Sequence, residues 1–79
     1  MNYMEGDIIR YVQVIVGSDY LPWYIDLDDK AEKGDRVLVP YRYKEEAGIV
    51  AQVVRCVFPY VIYPSEKTKP VFEIIHKNT

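Results

Sequence analysis

Residues 33–54 constrain the fold of this chain more than any other stretch. Lys33-Gly34-Asp35-Arg36-Val37-Leu38-Val39-Pro40-Tyr41 is followed, after a short polar segment, by Ala47-Gly48-Ile49-Val50-Ala51-Gln52-Val53-Val54. Two β-branched runs on either side of a charged segment read as a tight turn, a strand, a hairpin loop and a second strand. Gly34 supplies the left-handed backbone that such a turn needs, and the Asp35 carboxylate can accept hydrogen bonds from the turn's own amides. Val37, Val39, Tyr41 and Tyr43 fall on one face of the first of these strands, with Arg36, Leu38, Arg42 and Lys44 on the other. Glu45-Glu46 is expected at the hairpin tip. This is the pattern of a small β-barrel.

The flanking segments fit the same architecture. Residues 8–16 are nearly all apolar, broken only by Arg10 and Gln13, and their β-branched content suits a central strand. Gly17-Ser18-Asp19 marks a turn. Leu21, Trp23, Ile25 and Leu27 then alternate with Pro22, Tyr24 and Asp26, a second strand whose Pro22 cannot donate to a ladder and so belongs at a sheet edge. Residues 28–33 form a polar connection with room for one helical turn. The fourth strand, residues 48–58, is long enough to bend at a barrel corner. Residues 59–70 contain three prolines, Pro59, Pro64 and Pro70, and read as an extended crossing loop. Residues 71–75 form a fifth strand that returns to pair with the first. The expectation is one all-β domain over residues 1–79, a five-stranded, partly open β-barrel, with 1–7 and 76–79 flexible.

Seventy-nine residues hold one hydrophobic core and no more. Eight Tyr, two Phe and one Trp make that core dense, because an aromatic side chain buries roughly 150–250 Å². The single cysteine, Cys56, excludes an intramolecular disulfide and a cysteine zinc cluster, and its apolar setting points to burial. No apolar run approaches the roughly 20 residues that cross a bilayer, and the N-terminal residues lack the basic and apolar regions of a signal peptide. A cytoplasmic location with no membrane partner is the expectation.

A net charge of −2 argues against general, charge-driven nucleic-acid binding. The mean conceals an asymmetry. Residues 1–35 carry eight acids against three bases, and residues 36–79 carry seven bases against four acids. Solvated strand edges explain much of this, and a local anion-binding face is the sharper alternative.

Catalytic sets are missing from the sequence. Ser18 and Ser65 are the only serines, neither sits in a nucleophile elbow, and the one histidine, His76, lies near the C-terminus. Gly6, Gly17, Gly34 and Gly48 are scattered rather than gathered into a phosphate-binding loop. Asp26, Asp28 and Asp29 could attract a divalent cation, but turn capping and solvation explain them better. Neither enzymatic activity nor a cofactor is expected.

The pattern resembles the N-terminal 3′-DNA-binding domain of the replication-restart helicase PriA (primosomal protein N-prime). The similar parts are Tyr11-Val12-Gln13-Val14-Ile15-Val16, the Gly34–Tyr41 stretch, Gly48-Ile49-Val50-Ala51-Gln52-Val53-Val54 and the closing Lys67-Thr68-Lys69-Pro70-Val71-Phe72-Glu73-Ile74-Ile75. They cover most of residues 11–75 in the same order. The resemblance implies a pocket that grips the terminal nucleotide at the 3′ end of a nascent strand. In that family the pocket uses an aspartate in a Phe-Asp-Tyr strand, a glycine after Val-Pro-Phe, and a lysine near the C-terminal return.

Only the lysine carries over, as Lys69. Trp23 or Tyr24 stands where the aspartate would be, and Arg42 stands in place of the glycine. A carboxylate can mark a free ribose hydroxyl; an aromatic ring stacks a base but cannot make that distinction. The residues expected to meet nucleic acid are therefore Tyr24 or Trp23 for stacking, with Tyr24 the better exposed, and Arg42, Lys44 and Lys69 for phosphates. The ligand class implied is single-stranded DNA or a DNA 3′ end, and the partners are replication or repair proteins. The alternative is a protein-interaction module or a homodimeric adaptor joined through a strand edge, with no nucleic-acid ligand.

Overall fold

The computed structural model describes residues 3–17 and 21–76. The chain is mostly β: strands β1 (Ile8–Ile15), β2 (Trp23–Ile25), β3 (Arg36–Tyr41), β4 (Lys44–Val57) and β5 (Glu73–His76), with one 3₁₀ turn at Ser65–Lys67. They form a single antiparallel sheet in the order β2-β1-β4-β3-β5, which does not close into a continuous ladder.

β1 is central, as its apolar run requires. It pairs with β2 from Tyr11↔Ile25 to Gln13↔Trp23, and with β4 from Ile8↔Val57 to Ile15↔Ile49. A register shift between Gln13 and Val14 leaves Ala51 as the extra residue on β4 and bends the sheet there. Both faces of β1 are buried. Val12, Val14 and Val16 pack with Tyr24, Val37, Val39 and Val50 on one face; on the other, Ile9 and Tyr11 pack with Ile25 and Cys56. Cys56 is buried as expected.

Gly48 lets β1 and β4 approach closely. A Cβ there would lie 2.7 Å from the Ile15 carbonyl oxygen and 3.1 Å from Val16 Cγ2, and closer still to Val14 Cγ1. Gly34 has φ +92°, and Asp35 Oδ2 accepts from the Glu32 amide at 2.8 Å, so the expected turn chemistry is present.

Three expectations need correction. First, β5 pairs with β3 (Val37↔Ile74, Leu38↔Glu73), because β2 and β4 already occupy both sides of β1. The residues before β5 cross the gap between the sheet's ends instead. Ile25 N donates to Lys69 O (3.0 Å), Val71 N to Ile25 O (2.9 Å) and Phe72 N to Leu38 O (2.8 Å). Second, the β3–β4 hairpin turns at Arg42-Tyr43; Glu45 and Glu46 lie within β4, opposite Pro40 and Val39. Tyr43 is consequently at a tip in solvent and not on the face of Val37 and Val39. Third, β2 is shorter than its alternation suggests, with Leu21 and Leu27 exposed.

At the chain ends, Gly6 N donates to Phe58 O (2.9 Å) and His76 pairs with Arg36 in the β3–β5 ladder. The residues of 1–7 and 76–79 that lie outside the described ones are 1–2 and 77–79, and Ser18 and Asp19 of the expected turn lie outside them too.

Tyr11 ties the second cluster to the 59–65 segment. Its ring is fully buried and its hydroxyl donates to Tyr63 O at 2.7 Å. Burial pushes the phenol above its ordinary 10.0, and the neighbouring Cys56, Tyr3 and Glu66 push in the same direction. The folded state therefore holds this proton more tightly than the unfolded chain. The resulting stability is present below pH 10 and is lost as pH rises through the folded value. Denaturant titrations should show the Tyr11 contribution as a fall in stability in that alkaline range. Tyr11→Phe should flatten the fall and cost about 1 kcal/mol at neutral pH from the lost hydrogen bond.

Candidate functional site

Arg10 interrupts the apolar run of β1 and is buried, so its charge must be met inside the protein. The acidic connection after β2 meets it. Arg10 Nε lies 3.4 Å from Asp26 Oδ2 and 3.5 Å from Asp29 Oδ1, and Nη2 lies 3.2 Å from Glu32 Oε1 while donating to Ala31 O. Asp26 Oδ2 also accepts from the amides of Lys30 (2.8 Å) and Ala31 (2.6 Å), so the same oxygen shapes the loop and faces the guanidinium. Arg55 reaches Asp29 at 3.2 Å from the surface. Capping, favoured from sequence over cation binding, describes Asp26. The partner that sequence reasoning missed is Arg10, whose signal was a lone cation in a strand otherwise fit for burial. Three acids of the first half, Asp26, Asp29 and Glu32, thus face Arg10 inside the fold, and Arg55 from the second half adds one cation to the group.

The basic half behaves differently. One open groove of about 480 Å³ lies between β2, the β3–β4 hairpin and the segment after the 3₁₀ turn. β2 contributes Trp23 and Tyr24, preceded by Pro22; the hairpin contributes Pro40, Tyr41 and Arg42; the return segment contributes Lys67 and Lys69. Among the described residues, three cations line this groove and no carboxylate does. Among the described residues, Arg10, Lys44 and Arg55 make ion pairs with carboxylates, whereas Arg42, Lys67 and Lys69 make none. The Arg42 guanidinium carbon sits 5.3 Å from the centroid of the Tyr41 ring, within cation–π range.

Of the residues singled out from sequence, Trp23, Tyr24, Arg42 and Lys69 meet at this groove. Lys44 does not: it lies at the start of β4, outside the lining, with Nζ 3.5 Å from Glu46 Oε1. The two aromatics exchange roles relative to expectation. Tyr24 is buried at 4% exposure, and its hydroxyl donates to Pro40 O at 2.8 Å. Its pairing opposite Val12 places it on the enclosed face of the sheet. Trp23, opposite Gln13, is half-buried; it packs against the second cluster and also lines the groove, as does half-buried Tyr41. Lys67 and Tyr41 were missed; the alternation Lys67-Thr68-Lys69 was the available signal for the first.

Asp26, the nearest carboxylate along the chain from β2, is engaged with Arg10 and two loop amides. The groove can therefore attract an anion and present a flat ring to it. Comparison of the chain with protein-family models, with curated proteins and with solved structures finds no match.

Proposed function

We propose that this chain is a non-catalytic, PriA-like β-barrel module that binds single-stranded DNA or a DNA strand end at this groove. The observation that carries the reading is the convergence of Arg42, Lys67 and Lys69, none of them ion-paired among the described residues, beside the half-buried Trp23. Cations track a phosphate backbone, and a base stacked on an aromatic ring contributes roughly 1–3 kcal/mol. Two further features support the barrel resemblance. Segment 69–72 bridges β2, one end of the sheet, to β3, the strand next to its other end. Arg42, which stands in place of a glycine, has φ +49°, the backbone conformation that favours glycine. The described lining offers cations and aromatic rings, which suit strand binding more than strict recognition of an end.

Fluorescence anisotropy with a labelled oligothymidylate tests this. Three phosphate contacts on a single strand give a slope of about −2 in log affinity against log salt, so affinity should fall roughly 20-fold between 50 and 200 mM salt. An absent or salt-insensitive signal at micromolar protein overturns the reading.

A protein-interaction module or homodimeric adaptor is the second reading. Ile15 and Ile49, paired directly across β1 and β4, are both exposed, and Ile75 is exposed on edge strand β5. Light scattering at high protein concentration discriminates: a dimer supports this reading, and a strict monomer removes its homodimeric form.

A further inference from the structure

A two-residue hairpin loop of type I′ needs φ > 0 at both central positions, and Asn-Gly or Asp-Gly satisfies that without strain. Here the two positions are Arg42 and Tyr43, with φ of +49° and +67°. Bulky residues are disfavoured in this region because Cβ crowds the following carbonyl. Tyr43 gives nothing back to folding, since its side chain is as exposed as in an isolated peptide (107%). A large ring in a strained backbone, covering no apolar surface, points outward from the structural account. Its chain neighbour Arg42 forms part of the groove wall, and Tyr43 itself is outside the lining.

Groove size adds a second constraint. About 480 Å³ is the scale of a site for one small molecule, and an open groove of that volume holds one nucleotide. A bound strand must therefore continue over the rim.

We propose that Tyr43 is a second base-stacking position: the groove takes one nucleotide beside Trp23, and the hairpin tip takes a neighbouring base on the Tyr43 ring. The strained turn is retained because it holds that ring in solvent. This rests on the nucleic-acid reading of the groove and adds to it a minimum ligand of two nucleotides and a residue outside the pocket.

The test compares Tyr43→Gly, Tyr43→Phe and Lys67→Gln/Lys69→Gln in the full chain, using two probes: an oligothymidylate of about six nucleotides and the same backbone without bases. Tyr43→Gly should weaken binding of the oligothymidylate by about 5- to 160-fold and leave the base-free strand unaffected. It should also keep or raise Tm, because glycine relieves the left-handed backbone. Tyr43→Phe should bind like the parent, since stacking needs the ring and not the hydroxyl. Lys67→Gln/Lys69→Gln should weaken both probes alike. If Tyr43→Gly binds both probes like the parent while the lysine variant loses affinity, the stacking role is wrong and the groove reading stands. If Tyr43→Gly weakens both probes equally or lowers Tm, the tip is structural and the inference is overturned. If the parent protein binds neither probe, both fall together.

Discussion

Asp26→Ala should destabilise the protein by roughly 3–5 kcal/mol, the usual effect of removing one partner from a buried ion pair. The chain has 79 residues, and domains of this size are stable by only about 4–12 kcal/mol in total, so a quarter or more of that stability would be lost. The effect has two parts. Arg10 would keep as carboxylate partners only Asp29 and Glu32, both largely in solvent, and the amides of Lys30 and Ala31 would lose their acceptor. Asp26→Asn separates them, because its amide oxygen still accepts from the loop while the charge is gone. It should fall short of Asp26→Ala by about 1–2 kcal/mol in urea unfolding at neutral pH. If Asp26→Ala unfolds within about 1 kcal/mol of the parent, the Arg10 cluster is not what anchors the loop.

The largest effect on binding is expected from Arg42→Gln/Lys67→Gln/Lys69→Gln. Removing three phosphate contacts eliminates the counterion release they drive, which at 50 mM salt amounts to a loss of several hundred-fold in affinity for a single strand. The residual binding should be nearly independent of salt. Lys44→Gln serves as the matched control, since Lys44 lies outside the groove lining and pairs with Glu46. Were Lys44→Gln to weaken binding as much as each groove substitution, the contact surface would be a diffuse basic face and not this groove.

Local chemistry was the legible part of the fold. Gly34 and Asp35 announce their turn because the needed φ and the side-chain acceptor lie within a few residues. Pro22 likewise marks β2 as an edge, and the apolar run of β1 marks it as central. The partner of β5 was not legible, because strand pairing is settled by which edges remain open once β2 and β4 flank β1. The hairpin tip was misplaced for a different reason: Arg42-Tyr43 lacks the Asn or Gly that normally signals such a turn, while Glu45-Glu46 has the polarity of a loop.

The site divides in the same way. Trp23, Arg42 and Lys69 could be singled out by residue type and order, yet which ring of β2 faces a ligand could not. A three-residue strand alternates identically in either sense, and the choice is made by the register Val12↔Tyr24 against β1. Arg10 was overlooked because its acidic partners follow at a distance of sixteen residues or more and meet it only in the folded sheet.

The chain has one tryptophan, and that residue lines the groove, so its emission reports on the proposed site alone. Unlabelled oligothymidylate titrated into the full chain at low salt should quench Trp23 saturably, and added salt should restore the signal in parallel with the loss of anisotropy. Emission that stays constant while a labelled strand is demonstrably bound would place the nucleic acid elsewhere on the molecule and contradict the account.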